Sequence, residues 1–449
     1  MPVLNPSRTR AAEPAGSYPR HVGRLPFGPA LAIDRYELDN GLNILLCEDH
    51  SAPVIAYHTW FSVGSRHERE GKTGLAHLFE HLMFNETEHH PAGEFDRLLE
   101  EAGAESNAAT WLDWTQYTIN IPREALDLVV SLEADRMTNL VLRRPQVESE
   151  KEVVANERRY RVEDDVEGSV SELLYKTAFD RHAYRWPTIG WMSDIEGFTS
   201  EDCAAFYRTY YAPNNATLVV VGDVTAAELL AKVSAQYGPL PPAPLPVEDV
   251  QPEPDQAEER RLEVKKPTPT EKVTLGYKSP AFGDADYVPL SLLFEILFGG
   301  RASRVHKRLV RELELAADVR GFVSPFRDPG LAEVFASARE GVRAEALLDV
   351  IDAEIERSIR EPVNSEELER ARARSELSLL AGLETVDGKA STIGFHEVVI
   401  GRPAGAFDRL EDCRRATQSD LLRAARRHLR KDRRSGIVVR SDLPRREAP

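Results

Sequence analysis

The clearest hydrophobic pattern in the chain is a helical stripe near its N-terminal end. Leu75, Leu78, Phe79, Leu82 and Met83 recur at i, i+3, i+4, i+7 and i+8, which is the spacing of one face of an α-helix. The pattern predicts a short helix that packs on a core through this stripe.

The opposite side of the same predicted helix carries residues that can bind a metal ion and transfer a proton. His77, Glu80, His81 and Phe84 form a second stripe there. Two imidazoles at i and i+4 project side by side and can bind one metal ion, for which Zn²⁺ is the usual choice. Glu80 is placed to take a proton from a water that the metal acidifies. The pattern His-x-x-Glu-His is a metallopeptidase signature; the alternative is a pair of partly buried histidines bonded to backbone groups.

The two halves of the chain follow the same order of patterns. Each begins with alternating or β-branched runs and continues into a helix, and each ends with a helix that leads into a strand. In the first half, Asn40-Gly41 between two such runs predicts a β-hairpin. This order predicts an α+β fold in which each half packs an antiparallel sheet against helices.

The first helices of the two halves also align by sequence. The letters "LFEHL" that begin at Leu78 align with "LFEIL" at residues 293–297. In this register His77 corresponds to Leu292 and His81 to Ile296. We therefore expect an internal duplication whose second copy has lost the histidines.

A length of 449 residues favours two domains. The stretch at residues 237–261 is rich in proline, which favours an extended linker. It separates a predicted domain at residues 31–236 from a second at residues 262–445. Residues 1–30 are rich in Pro, Arg and Ala and lack the apolar run of a secretory signal, so we expect an extended arm.

The composition limits the possible binding partners and the cellular compartment. The chain has 57 basic and 74 acidic residues, a net charge of −17, which disfavours nucleic acid as a partner. Its three cysteines, Cys47, Cys203 and Cys413, are sparse and widely spaced, which favours a reducing, cytoplasmic compartment. No run of 18 apolar residues is present to span a membrane.

A catalytic zinc requires a third protein ligand. The segment at residues 147–165 predicts a charged helix, on which Glu150 and Glu157 share a face with Val153 and Val154. The two glutamates are two turns apart, about 10 Å, so only one of them can ligate the ion. The alternative is an ordinary solvated face, and the spacing alone does not decide.

The run at residues 63–87 closely resembles the pitrilysin/insulinase family of zinc peptidases, and in particular its short-chain type, which includes the mitochondrial processing peptidase β-subunit and its bacterial relatives. In that family a ligand glutamate follows the last histidine by about 76 positions, which is Glu157 here. Another functional glutamate stands seven positions earlier, which is Glu150. The segments at residues 107–117 and 210–224 resemble the family as well.

This resemblance implies a role for each matching residue. It makes His77, His81 and Glu157 the ligands of one Zn²⁺ per chain, and Glu80 the general base. It makes Glu150 a partner that orients a ligand histidine. It also implies a pitrilysin-like half-clamshell of two homologous domains, and the activity of a zinc endopeptidase.

The resemblance further implies that Asn107 and Ala108 lie on an edge strand that lines the cleft. An edge strand can pair with the backbone of an extended peptide whatever its side chains. We therefore expect unstructured peptides as substrates. A zinc hydrolase with a non-peptide substrate and a non-catalytic assembly subunit of the same fold are the alternatives.

The chain departs from the family at one substrate-binding position. Family members carry an Arg and a Tyr seven residues apart in the second domain; Arg311 fits the Arg, but Asp318 stands where Tyr is expected. A carboxylate cannot donate a hydrogen bond as a phenol does. We therefore expect a heterodimer with a related subunit that carries the Arg/Tyr pair, in preference to a homodimer.

Overall fold

A computed structural model describes residues 18–248 and 251–443, and these residues form two β-sheets with helices on both faces. The strands of the first sheet are β1 (Arg20–Phe27), β2 (Leu31–Glu37), β3 (Asn43–Glu48), β4 (Val54–Phe61), β5 (Glu105–Thr110), β6 (Thr115–Pro122) and β7 (Ala216–Gly222). The strands of the second sheet are β8 (Arg260–Lys266), β9 (Lys272–Lys278), β10 (Ala316–Val323), β11 (Leu331–Ala338) and β12 (Arg434–Ser441).

The helices divide between the two halves of the chain. The first half contains α1 (Leu75–Leu82), α2 (Glu94–Glu101), α3 (Leu126–Thr138), α4 (Arg144–Arg158), α5 (Val166–Ala178), α6 (Met192–Glu196), α7 (Ser200–Tyr210) and α8 (Ala226–Tyr237). The second half contains α9 (Tyr287–Phe298), α10 (Arg304–His306), α11 (Ala344–Arg360), α12 (Ser365–Gly382), α13 (Val386–Ile400), α14 (Gly405–Arg415) and α15 (Gln418–His428). Among the described helices, none is long and apolar enough to cross a membrane.

The two sheets share one topology, which confirms the α+β fold of two homologous halves. The first sheet has the order β1-β2-β3-β7-β4-β6-β5, and the second β10-β11-β9-β12-β8. Read from β8, the second sheet repeats the order of the first from β3 onward. In each half the first and last strands of this repeat, β3 with β7 and β8 with β12, pair in parallel. The sheets are therefore mostly, and not wholly, antiparallel.

One helix from each half packs on the sheet of the other half. Helix α5 of the first half packs on β9 and β12 of the second sheet, and α13 of the second half packs on β4 and β7 of the first sheet. Leu174 of α5 is fully buried with Ile437, and Ile393 of α13 is fully buried with Val219. Each half therefore completes the apolar core of the other.

The local predictions near the start of the chain are confirmed. Strands β2 and β3 form the predicted hairpin around Asn40-Gly41. Gly41 has φ +89°, and a Cβ there would lie 2.7 Å from the Cβ of Asn214, so the turn requires glycine. Helices α1 and α4 occupy the two segments that were predicted to be helical.

The structure describes part of the predicted arm and most of the predicted linker. Residues 1–17 of the arm lie outside the described residues, and Arg20–Phe27 forms the edge strand β1, which pairs with β2. Between α8 and β8 the described chain has no helix or strand. It is held to the rest of the protein at Glu253, whose carboxylate accepts hydrogen bonds from three consecutive backbone N–H groups of residues 180–182.

A buried arginine lies at the centre of the first half. Arg136 is 1% exposed, and its guanidinium carbon lies 4.4 Å from the ring centroid of Tyr117 and 4.8 Å from that of Phe95. It forms an ion pair of 2.5 Å with Glu133, which accepts a 2.7 Å hydrogen bond from Thr59. Both charges are buried, and within the described residues each is the ion-pair partner of the other.

We predict that Arg136→Met lowers the free energy of unfolding by about 3–5 kcal/mol, because Glu133 is left buried and unpaired. Adding Glu133→Gln should recover part of this loss, since the amide can still bond to Thr59. Urea unfolding measures both effects. Arg97→Met, at an exposed ion pair, is the control and should cost less than about 1 kcal/mol. A cost of that small size at Arg136 would contradict the prediction.

Candidate metal centre

Helix α1 is oriented by its apolar stripe. Leu78, Phe79 and Leu82 are fully buried, and the hydroxyl of Tyr117 donates a 2.9 Å hydrogen bond to the carbonyl of Phe79. This face is held against β6 and α7. The opposite face, with the two histidines, is therefore turned toward α4.

The start of α1 is held by a residue that the sequence analysis did not identify. Gly74 precedes the helix with φ +98° and has no side chain to cap it. The carboxyl group of Glu68 accepts hydrogen bonds from the N–H groups of Gly74 (2.8 Å) and Ala76 (2.7 Å), which takes the place of the missing cap. A Cβ on Gly74 would lie 2.5 Å from the carbonyl oxygen of Ile189, so this turn packs backbone against backbone.

Helix α4 brings a carboxylate to the two histidines. Oε2 of Glu157 lies 3.5 Å from Nε2 of His77 and 3.3 Å from Nε2 of His81. These three ligand atoms lie within 4.8 Å of one another and are the one such His/Cys/Asp/Glu group found in the described residues. The structure thus places together the three residues that were predicted as ligands.

The donor set fits a catalytic zinc ion. Two imidazoles and one carboxylate are a known catalytic ligand set, and zinc bonds of about 2.0–2.1 Å in a tetrahedron separate neighbouring ligand atoms by about 3.3 Å. The measured separations from Glu157 to His77 and His81 are close to this value. Apart from these contacts with the two histidines, the buried Oε2 of Glu157 has no hydrogen-bond partner in the described chain, as expected of an atom placed to bind a cation.

Glu150 lies on the far side of His81. Its carboxylate is 3.5 Å from Nδ1 of His81 and accepts a hydrogen bond from Asn85 (3.3 Å). Glu150 and Glu157 therefore approach opposite nitrogens of one ring, which suits one ligand and one orienting partner. Val153, predicted on the same helix face, is 47% exposed, whereas Val154 is fully buried.

The carboxylates and burial act differently on the two histidines. Burial lowers the pKa of His81, but the carboxylates of Glu150 and Glu157 outweigh it and raise the pKa to about 9. Burial lowers the pKa of His77 to about 4, against the opposing effect of Glu157. In the metal-free protein these opposite shifts favour the protonated, cationic form of His81 and the neutral form of His77.

Glu80 lies beside the predicted ligands and is half-buried. Burial raises the pKa of its carboxyl group, while hydrogen bonds from Thr110 and the nearby His81 lower it. A raised pKa suits a group that must accept a proton and later return it. Arg161, which the sequence analysis did not single out, forms a 2.9 Å ion pair with the second oxygen of Glu157, and this ion pair restrains the orientation of that carboxylate.

Strand β5 lies at the edge of the first sheet and contacts α1. Asn107 and Ala108 pair with Thr118 and Tyr117 of β6 on one side, and no described strand covers the other side. Asn107 is exposed and its side-chain oxygen accepts a hydrogen bond from the N–H of Ala108. Their role in substrate binding stays a prediction.

Arg311 and Asp318 lie in the second half. Arg311 belongs to the π-helical turn Lys307–Glu312, is exposed and has no ion pair among the described residues. Asp318 lies on β10, the edge strand of the second sheet, where it contacts Arg320 at 3.4 Å. His89 and His90 bond to Asp135 and Glu94 and are not part of the ligand group.

A duplicated α+β fold with an inverted His-x-x-Glu-His helix and a glutamate from a second helix defines the class of inverted-motif metallopeptidase folds. The family model described as Insulinase (Peptidase family M16) matches residues 43–190. The model described as Peptidase M16 inactive domain matches residues 197–375. The chain belongs to the insulinase family, peptidase family M16.

Known proteins agree with this assignment. The zinc protease PqqE of Helicobacter pylori is 32% identical over 406 residues, which cover 89% of this chain and 91% of that protein. The crystal structure of a protease from Helicobacter pylori superposes with a TM-score of 0.87 at 30% identity, over 91% of this chain and 99% of that one. A peptidase M16 inactive domain from Pseudomonas fluorescens, at 18% identity, has the same fold with a TM-score of 0.83, over 92% of this chain and 99% of that one.

We predict that zinc binding at pH 7 releases about one proton per chain. His81, with its pKa near 9, is protonated at pH 7 and must become neutral to ligate, whereas His77 is already neutral. Apparent zinc affinity should therefore fall about tenfold for each pH unit below 9. Calorimetry in buffers of different ionisation enthalpy measures the released proton.

His89→Ala is the control, because His89 is exposed and lies outside the ligand group. It should leave the proton count unchanged. Zinc binding at pH 7 without proton release would show that His81 is neutral in the metal-free protein.

Proposed function

We propose that this chain is a zinc-dependent endopeptidase that hydrolyses unstructured peptides. The observation that carries the proposal is the convergence of His77, His81 and Glu157 beside Glu80 and next to an open sheet edge. The relatives named zinc proteases support it. The complete ligand set disfavours a non-catalytic assembly subunit.

Each residue has a chemical task in this proposal. His77, His81 and Glu157 would hold one zinc ion, which supplies Lewis-acid chemistry by acidifying water and polarising a carbonyl. Glu80 takes a proton from the attacking water and then passes it to the leaving amine nitrogen. Its partial burial raises the pKa of its carboxyl group, which suits a group that holds the proton between these two steps.

Substrate binding is assigned to the sheet edge. The free side of β5 at Asn107 and Ala108 would pair with an extended peptide backbone next to α1. Such pairing uses hydrogen bonds to the peptide backbone. It therefore accepts varied sequences but requires an unfolded segment. We propose a cytoplasmic site of action, which is supported by the free cysteines Cys47 and Cys203, both fully buried.

We predict that Glu80→Gln lowers kcat for peptide hydrolysis by the zinc-loaded chain about 100- to 10,000-fold, because the general base is lost. Zinc content should stay at one per chain, since Glu80 is not a ligand. Mass spectrometry of a digested pool of unstructured peptides measures the cleavage. A parallel panel of esters and amidated small molecules tests the non-peptide alternative.

Glu88→Gln is the matched control, since Glu88 is exposed and lies outside the ligand group. It should keep full activity. Equal cleavage by Glu80→Gln and Glu88→Gln would refute the assigned role of Glu80.

We further propose that the active enzyme is a heterodimer. Asp318 stands on an edge strand where the family has a tyrosine, and Arg311 is left without an ion pair in the described chain. A related subunit that carries the Arg/Tyr pair would complete substrate binding and enclose the peptide in a chamber. A homodimer would contain two chains that both lack this tyrosine.

We predict that tagged protein purified from its native cells contains a second chain of similar size. It should hydrolyse peptides at least tenfold faster than the chain produced alone. Adding the isolated second chain back to the lone chain should restore the difference. A lone chain that forms a homodimer and matches the native activity would contradict the heterodimer.

A further inference from the structure

The second half contains a cavity of about 770 Å³ between α9, α12, α13 and α14. Leu292 and Glu295 of α9 line it. In the alignment of the two halves these residues correspond to His77 and Glu80. The cavity therefore opens on the face of the duplicated helix that carries the metal-binding motif in the first half.

This face is no longer suited to a metal. Leu292 offers no ligand atom, and the carboxylate of Glu295 forms an ion pair with Arg374 of α12. Phe395 and Leu410 add apolar walls. A volume of this size is within the range of small-ligand pockets, about 300–1,000 Å³.

A second guanidinium in the cavity has no carboxylate in direct contact within the described chain. The guanidinium carbon of Arg409 lies 3.8 Å from the ring centroid of Phe282 and 4.5 Å from that of Tyr287. It donates one hydrogen bond, to the carbonyl of Phe282 (2.9 Å), and forms no ion pair within the described chain. Burial lowers the pKa of Arg409, and the nearby carboxylate of Asp412 offsets this effect only in part, as expected of a buried cation without a direct ion pair.

Two further polar atoms in the cavity wall are unsatisfied. Nδ1 of His396 lies 2.8 Å from the carbonyl of Thr392 and must donate to it, so Nε2 is left as an acceptor. Nε2 of His396 and Oγ of Ser291 are both buried without a hydrogen-bond partner in the described residues. The cavity thus offers a cation, an acceptor and a hydroxyl among apolar side chains.

We propose that this cavity binds the C-terminal end of an apolar peptide. The terminal carboxylate would pair with Arg409, a backbone N–H would donate to Nε2 of His396, and an apolar side chain would lie against Leu292, Phe395 and Leu410. The acceptor on His396 distinguishes this ligand from a fatty acid, which has no N–H to donate. The site is separate from the metal centre and does not depend on catalysis.

The test uses the full-length, zinc-loaded chain with Glu80→Gln, so that no peptide is cleaved. Calorimetry compares N-acetyl-Leu-Leu, which has a free carboxylate, with its C-terminal amide and with decanoate. We expect one N-acetyl-Leu-Leu per chain. Arg409→Met should weaken its binding about 10- to 100-fold, the effect of losing a charged hydrogen-bond pair, and the amide should bind about as weakly.

Matched variants test whether the peptide binds in this cavity or elsewhere on the chain. Arg415→Met, at an exposed arginine on the same helix, should bind N-acetyl-Leu-Leu as the parent does. Leu377→Glu adds a negative charge at an exposed position that lines the cavity and should weaken binding, whereas Leu380→Glu, exposed on the same helix but outside the lining, should not.

Three results would overturn the proposal. Arg409→Met could bind the peptide as tightly as Arg415→Met, the amide could bind as tightly as the acid, or decanoate could bind more tightly than the dipeptide. The last result would identify the cavity as a fatty-acid site. The paired leucine variants keep the test decisive if Arg409→Met fails to fold.

Discussion

The burial of Leu78, Phe79 and Leu82 in the first half's core fixes the direction in which His77 and His81 point. A helix with one fully buried face can rotate little, so its opposite face meets α4 in one register only. In that register Glu157 reaches both histidines and Glu150 reaches the outer nitrogen of His81. Glu68 and the contact between Gly74 and Ile189 then fix the start of the helix. The geometry of the candidate metal centre is thus a consequence of core packing.

The sequence alone allowed the prediction of features that are local or periodic. The hairpin at Asn40-Gly41, helices α1 and α4, and the duplicated order of elements all follow from hydrophobic spacing and turn residues, and the structure confirms them. The pairing of Glu157 with the histidines depended on a family resemblance, because spacing on α4 did not distinguish a ligand from a solvated glutamate.

Other features depend on contacts between distant segments and leave no periodic signal. Glu68 caps α1 from an irregular loop, and Arg161 reaches Glu157 from a π-helical turn. The exchange of α5 and α13 between the halves joins residues far apart in sequence, such as Leu174 and Ile437. Strand β1 was missed because most of its residues are exposed and its pattern is weak.

The duplication produced two similar clefts that have become chemically different. In the first, the carboxylates of Glu150 and Glu157 contact His81. In the second, Glu295 is paired with Arg374, and Arg409 lies against aromatic rings without a direct ion pair in the described chain. The same helix position therefore lies in different electrostatic surroundings in the two halves, because the side chains on it and on the packed helices differ.

Anomalous diffraction at the zinc absorption edge, from crystals of the zinc-loaded chain, would locate the bound metal. We expect one strong peak per chain, about 2.0–2.2 Å from Nε2 of His77, Nε2 of His81 and a carboxylate oxygen of Glu157. A zinc peak among other residues, or none at this position in crystals that contain zinc, would contradict this expectation.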